Sequence, residues 1–237
     1  FLLIYFLFGS FNSLNTGLSF DENYEELNWN FHVKLVKEIS RAISSEERFD
    51  REKFNIEVKR FVGYGIGFQI VSQPIQNLLK KVLINNKDLD NYGAKLLAKH
   101  FVVFLFFFIS GIFFYLILRK LIDNENFLIL GTTIYLTFPY LFGQSMFSPK
   151  DIPFMSVWLV CSYFSFTKFE KIVNKENISF FNIFLLSLST AYLLSIRIAG
   201  VLILIQYLVS LIILISQSKI NTIFFIKKFY KKFFYFI

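Results

Sequence analysis

From Phe101 to Leu118, eighteen consecutive residues carry no charge, and no other feature limits the fold of this chain so strongly. A helix needs ~20 mainly apolar residues to cross a bilayer core, and this run is close to that length. Others follow it. Phe127–Pro149 and Ile152–Thr167 flank the lone pair Lys150–Asp151, and Ile178–Ile196 and Ile198–Ser218 flank a lone Arg197. Phe1–Phe11 is shorter and reads as the end of a truncated span. The expectation is an all-α, polytopic membrane protein with one partial and five nearly complete spans. Buried helices of a non-membrane protein are the alternative. The composition points the same way: 55% of residues are apolar, 34 are Phe and only 18% are charged, against about 25% charged in an ordinary domain. Disorder, collagen and coiled coil are excluded. The single Cys161 rules out an intrachain disulfide and argues against a thiolate metal cluster. A chain that opens on Phe1 inside one apolar run and stops in another (KKFFYFI) reads as a piece of a longer protein.

Charge is concentrated between the first and second apolar runs. Residues 21–99 hold 25 of the 42 charged residues, 13 basic and 12 acidic. Leu35, Val36, Ile39, Ala42 and Ile43 fall at helical spacing, as do Val71, Ile75, Leu78, Leu79, Val82 and Leu83. Between them lies the charged stretch Ser44–Lys59, and Gly63, Gly65 and Gly67 interrupt the pattern. Two amphipathic juxtamembrane helices in a first outer loop are expected. Beyond residue 100, ten basic residues fall in alternate loops on one side and two, Lys150 and Arg197, on the other. By the positive-inside rule the ten-rich side is cytoplasmic, which places residues 21–99, Lys150–Asp151 and Arg197 outside. The net charge of +8 is then a topology signal, and no basic groove suggests nucleic acid. In the tail, Lys227, Lys228, Lys231 and Lys232 share one helical face. That is the pattern of an interfacial helix or of a cytoplasmic loop leading into another span.

Ionisable groups at membrane depth cost several kcal/mol and are functional candidates by default. Three places qualify: Asp21–Glu22 in SFDENYEE, Lys150–Asp151 in FGQSMFSPKDIPF, and Arg197 in LLSIRIAGVL. Paired carboxylates could serve as general base or hold a divalent cation. Lys or Arg beside them could take a phosphate. The same residues have plainer readings: an N-cap signal, a polar turn shaped by Pro149 and Pro153, and a snorkelling Arg. His32 and His100 read as ordinary residues, His100 at a span entrance.

At these residues the chain resembles the GT-C membrane glycosyltransferases, specifically the protein-O-mannosyltransferase and aminoarabinose-transferase-like group (family 39, dolichyl-phosphate-mannose-protein mannosyltransferase-like). SFDENYEELNW looks like that group's acidic pair after the first span. PYLFGQSMFSPKDIPFMSVWLVCSYFSF is similar to its second outer-loop Asp motif, and YGIGFQIVSQPIQNLL resembles its juxtamembrane helix. KHFVVFLFFFISGIFFYLILRK and LLSLSTAYLLSIRIAGVLIL look like neighbouring spans. The resemblance covers nearly the whole chain and implies the N-terminal part of a GT-C transmembrane domain. Residues 1–16 would be a partial first span, 17–99 the outer loop, and 100–237 the remaining spans and cytoplasmic loops. It implies inverting sugar transfer from a polyprenyl-phosphate-linked donor to an acceptor glycan, lipid or protein. The setting would be the outer face of a bacterial inner membrane. Asp21, Glu22 and Asp151 would be catalytic, and Lys150 and Arg197 would bind substrate. No metal is assigned, a divalent cation being used by some members and not by others. The alternatives are a multi-span transporter or flippase and an inactive fragment, both without catalysis.

Overall fold

The computed structural model describes residues 2–17, 19, 22–45, 65–87, 89–174, 176 and 179–217. The uncharged run that dominates the sequence lies inside a longer helix, α4 (Asn91–Leu118). Its start is set by Asp90, whose carboxylate accepts from the Gly93 N–H at 2.9 Å, an N-cap bond on an otherwise unpaired donor. Small and charged residues fill its first turns and Phe-rich sequence the remainder. Val102, Val103, Phe104 and Phe107 have no exposed surface. The other helices are arranged by what packs on this one. Before it come α1 (Leu2–Ser13), α2 (Glu22–Ser45) and α3 (Gly67–Lys87). After it come α5 (Glu125–Thr137), α6 (Pro139–Gln144) and α7 (Asp151–Val173). Next are α8 (Phe180–Ile196), a 3-10 turn (Ile198–Leu202) and α9 (Ile203–Gln217). α1, α3, α5 and α7 pack directly on α4, and α7 carries α8 and α9 on its far side.

The core joins α4 to Tyr5, Phe68, Leu136, Ile152, Val157, Cys161, Leu193 and Ile203. Within it, single hydroxyl contacts fix the register of helices whose aromatic packing is otherwise forgiving. Tyr5 donates to the Leu136 carbonyl at 2.7 Å, and Ser110 and Tyr135 share a bond of 2.7 Å. Close approaches at several positions require glycine, Gly9, Gly65 and Gly67 among them. A Cβ on Gly9 would enter the ring of buried Phe104, and one on Gly65 would strike the carbonyls of Ser195 and Ile196 at the end of α8. Of the glycines expected merely to interrupt a pattern, Gly65 and Gly67 thus let the start of α3 and the chain just ahead of it lie against the end of α8, and Gly63 falls outside the described residues.

All-α structure is found, but a polytopic membrane protein is not. Among the described residues two helical segments are long and apolar enough to cross a membrane, Asn91–Leu118 and Ile198–Ser216. One partial and five nearly complete spans were expected. The runs shorten because the backbone breaks them. Phe138 takes φ −59°, ψ 118°, as a residue before proline must when the helical region is disfavoured. Phe127–Pro149 therefore becomes the 13-residue α5 and the 6-residue α6. Arg197 is extended at φ −148°, ψ 137° and separates the 17-residue α8 from the 3-10 turn. α7 is long enough but carries Asp151, Lys168, Glu170 and Lys171. The longest apolar helix, α4, lies at the centre of an internally packed helix bundle. Without the expected alternation of spans the positive-inside count has no basis, so the multi-pass inner-membrane location and the outer-face site are withdrawn. The amphipathic stretches do form helices, α2 and α3, but nothing shows them lying along a membrane. The lysine-rich tail falls outside the described residues.

Gly65→Ala is expected to cost about 1–3 kcal/mol through overpacking. Gly143→Ala, where a Cβ would meet nothing, is expected to be neutral or to stabilise by up to about 1 kcal/mol from helix propensity alone. Denaturant midpoints of the two variants would show the split.

Candidate functional site

The first turns of α2 place Glu22, Glu25 and Glu26 on one face, because residues three and four apart are neighbours on a helix. All three are buried. On α4, Lys95, Lys99 and His100 form the matching face one turn deep, and Lys99 and His100 have no exposed surface. Glu26 lies between two ammonium groups, in contact with Lys95 and 3.4 Å from Lys99. Glu22 meets Nε2 of His100 and also accepts from the Ser19 N–H at 3.0 Å. Glu25 pairs with Lys150 at 2.6 Å, whose ammonium stands 5.1 Å above the ring of Tyr24. One residue further on, Asp151 accepts from Arg197 at 2.5 Å and from Ser148 at 3.5 Å. Arg197 also stacks 5.9 Å from the Phe154 ring centre. The extended backbone at Arg197 and the start of α7 meet because α7 and α8 run antiparallel.

The structure therefore brings four of the five sequence candidates to one end of the bundle: Glu22, Lys150, Asp151 and Arg197. Asp21 lies outside the described residues. These four do not converge on a vacant centre. Glu22 is engaged by His100 and Ser19, and Asp151 by Arg197. Lys150 and Arg197, expected to hold a donor phosphate, are each directed at a carboxylate. Sequence reading missed Glu25, Glu26, Lys95, Lys99 and His100. The signal was present as Glu22–x–x–Glu25–Glu26 and Lys95–x–x–x–Lys99–His100, two complementary helix faces.

Burial differs sharply along this chain of charges. The Lys99 and His100 side chains have no exposed surface, whereas Asp151 and Arg197 are 62% and 41% exposed. The exposed pair belongs to the class worth about 0–1 kcal/mol. Burial pushes the Glu26 carboxyl up, but the Lys95 hydrogen bond and the charges of Lys99 and Lys95 together outweigh it. The group is held below its ordinary value of 4.5.

No protein-family model, curated protein or solved structure matches this chain. The resemblance to GT-C glycosyltransferases is thus without support. Among the described residues no group of three or more His, Cys, Asp or Glu is placed to hold a metal ion. The assignments to sugar transfer, a polyprenyl-phosphate donor, an acceptor and a bilayer partner fall with the resemblance and with the missing spans.

Glu26→Gln is expected to cost about 3–5 kcal/mol, because it leaves the buried Lys99 charge short of its partner. Glu38→Gln, in the exposed pair with Arg41, is expected to cost under about 1 kcal/mol. The Glu26 contribution is complete above pH 4.5 and is lost as pH falls through the lower folded-state value. Denaturant titrations across that window should show wild type converging on the Glu26→Gln variant.

Proposed function

We propose that this chain is a non-catalytic helical component of a larger protein assembly, with its charged end serving to fasten its own helices together. The observation that carries the reading is the outer surface of α8, the 3-10 turn and α9. Phe180 is 68% exposed and Ile198 73%, and Phe184, Leu188, Leu208 and Ile212 are also exposed. The sequence from Ser179 to Ser216 contains one charged residue, Arg197. Proteins that act alone rarely expose contiguous apolar surface beyond a few hundred Å². A partner protein presenting apolar helices of its own would cover that face without leaving a charge unpaired.

Glu22, Lys150, Asp151 and Arg197 then serve as fasteners. Each is in contact with a group of opposite charge or with His100, which supports a structural role over proton abstraction or phosphate capture. Of the two alternatives without catalysis, the multi-span transporter or flippase falls with the missing spans, and the catalytically inactive chain remains.

The test is the state of association of the purified chain in aqueous buffer, read by sedimentation and cross-linking. A defined oligomer or heteromeric complex is expected. Leu208→Lys with Ile212→Lys should dissolve it while leaving helical circular dichroism unchanged. A monomer in buffer, or recovery only with floated lipid vesicles, would overturn the reading.

A further inference from the structure

α2 is attached to the rest of the molecule in an unusual way. An amphipathic helix ordinarily docks through its apolar stripe. Here five side chains of α2 are buried: Glu22, Glu25, Glu26, Asn28 and Phe31. One of the five is apolar. The apolar stripe points outward instead, with Val36 63% and Ile43 75% exposed, and every residue from Val33 to Ser45 is at least partly exposed. The helix is a lever held at its N-terminal end, chiefly by charge.

We infer that α2 is an acid-released helix: protonation of Glu22, Glu25 and Glu26 frees it from α4 and from Lys150. The groups facing these carboxylates are all basic. From α4 they are Lys95, Lys99 and His100, and from the residue preceding α7, Lys150. Asp151, next in sequence, is engaged by Arg197, and on α2 itself Tyr24 lies beneath Lys150. At neutral pH three carboxylates offset three ammonium groups. Below the glutamate range a carboxyl is neutral and no longer offsets an ammonium group. Burial already disfavours the charge of Lys99, and the charges of Glu26 and Glu22 are what oppose that effect. The contact then changes from attraction to repulsion, and Lys99 has no exposed surface through which water could compensate it. The depressed titration of Glu26 places its share of the change at the acid end of that range. Phe31 is the one apolar side chain of α2 that is fully buried, with Tyr24, Trp29, Val33 and Leu35 half-buried, so apolar contact holds the helix less firmly than its three buried carboxylates do. Release would leave the α4-centred core intact, since that core is built from other helices.

The experiment is amide hydrogen exchange on the full chain at pH 7 and pH 4, each normalised to intrinsic exchange. Protection of α2 should fall at least about tenfold at the lower pH while Phe101–Leu118 keeps its protection, as for a separately opening unit. The variant Glu22→Gln/Glu25→Gln/Glu26→Gln should show the released pattern already at pH 7. Should that variant misfold, the two wild-type measurements decide the matter by themselves. Unchanged α2 protection at pH 4, or loss of protection in α2 and α4 together, would overturn the inference.

Discussion

The burial of α4 is the constraint to which everything else in this molecule answers. A helix of 28 residues with four others packed on it buries 11 of its residues. Its side chains must then be either apolar or paired. From Phe101 onward it meets that condition with hydrocarbon. Over its first three turns it does not, because Lys99 and His100 are buried there, with Lys95 half-buried beside them. A lone buried ammonium is far more costly than one exposed, so the fold needs carboxylates at that end. No acidic residue of α4 is available within its first turn. They come from α2, which supplies three within its first two turns. The positive end of the α2 helix also eases the repulsion among them.

Two kinds of contact therefore divide the work of assembly. α1, α3, α5 and α7 lie on α4 through packing that tolerates small shifts, and isolated hydroxyl pairs fix their registers. Between α7 and α9, Trp158 donates to Gln206 at 2.5 Å, and the same amide donates to Ser162 at 2.7 Å. Between α8 and α9, Thr190 meets Tyr207 at 2.8 Å. α2 is placed by charge. Ion pairs are sensitive to ionisation and salt in a way that aromatic packing is not.

What the sequence discloses follows the same division. Helical periodicity located α2 and α3, and the uncharged run located α4 from Phe101 onward, because both signals are local. The first ten residues of α4, 91–100, lay outside that run. Lys150, Asp151 and Arg197 stood out because each is a lone charge in apolar surroundings. Glu25, Glu26, Lys95 and Lys99 did not, since in a segment holding 25 charges nothing local marks the few that meet across the fold. Their significance lies in contacts distant in sequence, 69 and 73 residues for Glu26 with Lys95 and Lys99, and for Glu25 the still more distant Lys150. The misjudged spans have a different cause. Hydropathy sums over a run and does not register where the backbone stops being helical. Phe138 before Pro139 and the extended Arg197 end helices inside stretches that read as continuous.

The inverted orientation of α2 links its charged attachment to the apolar surface it displays. If its apolar stripe had been chosen to stabilise the fold, it would face α4 and its glutamates would face water. Turning it over exposes Val36, Ile39 and Ile43 and replaces non-directional apolar burial with pairs that are often no better than hydrophobic contacts of equal volume. Stability alone does not favour such an arrangement. It does leave an apolar stripe facing away from the bundle on a helix whose attachment depends on ionisation. The same outward display on α8 and α9 rests on apolar packing and is permanent, so the molecule carries one fixed apolar face and one whose position depends on pH.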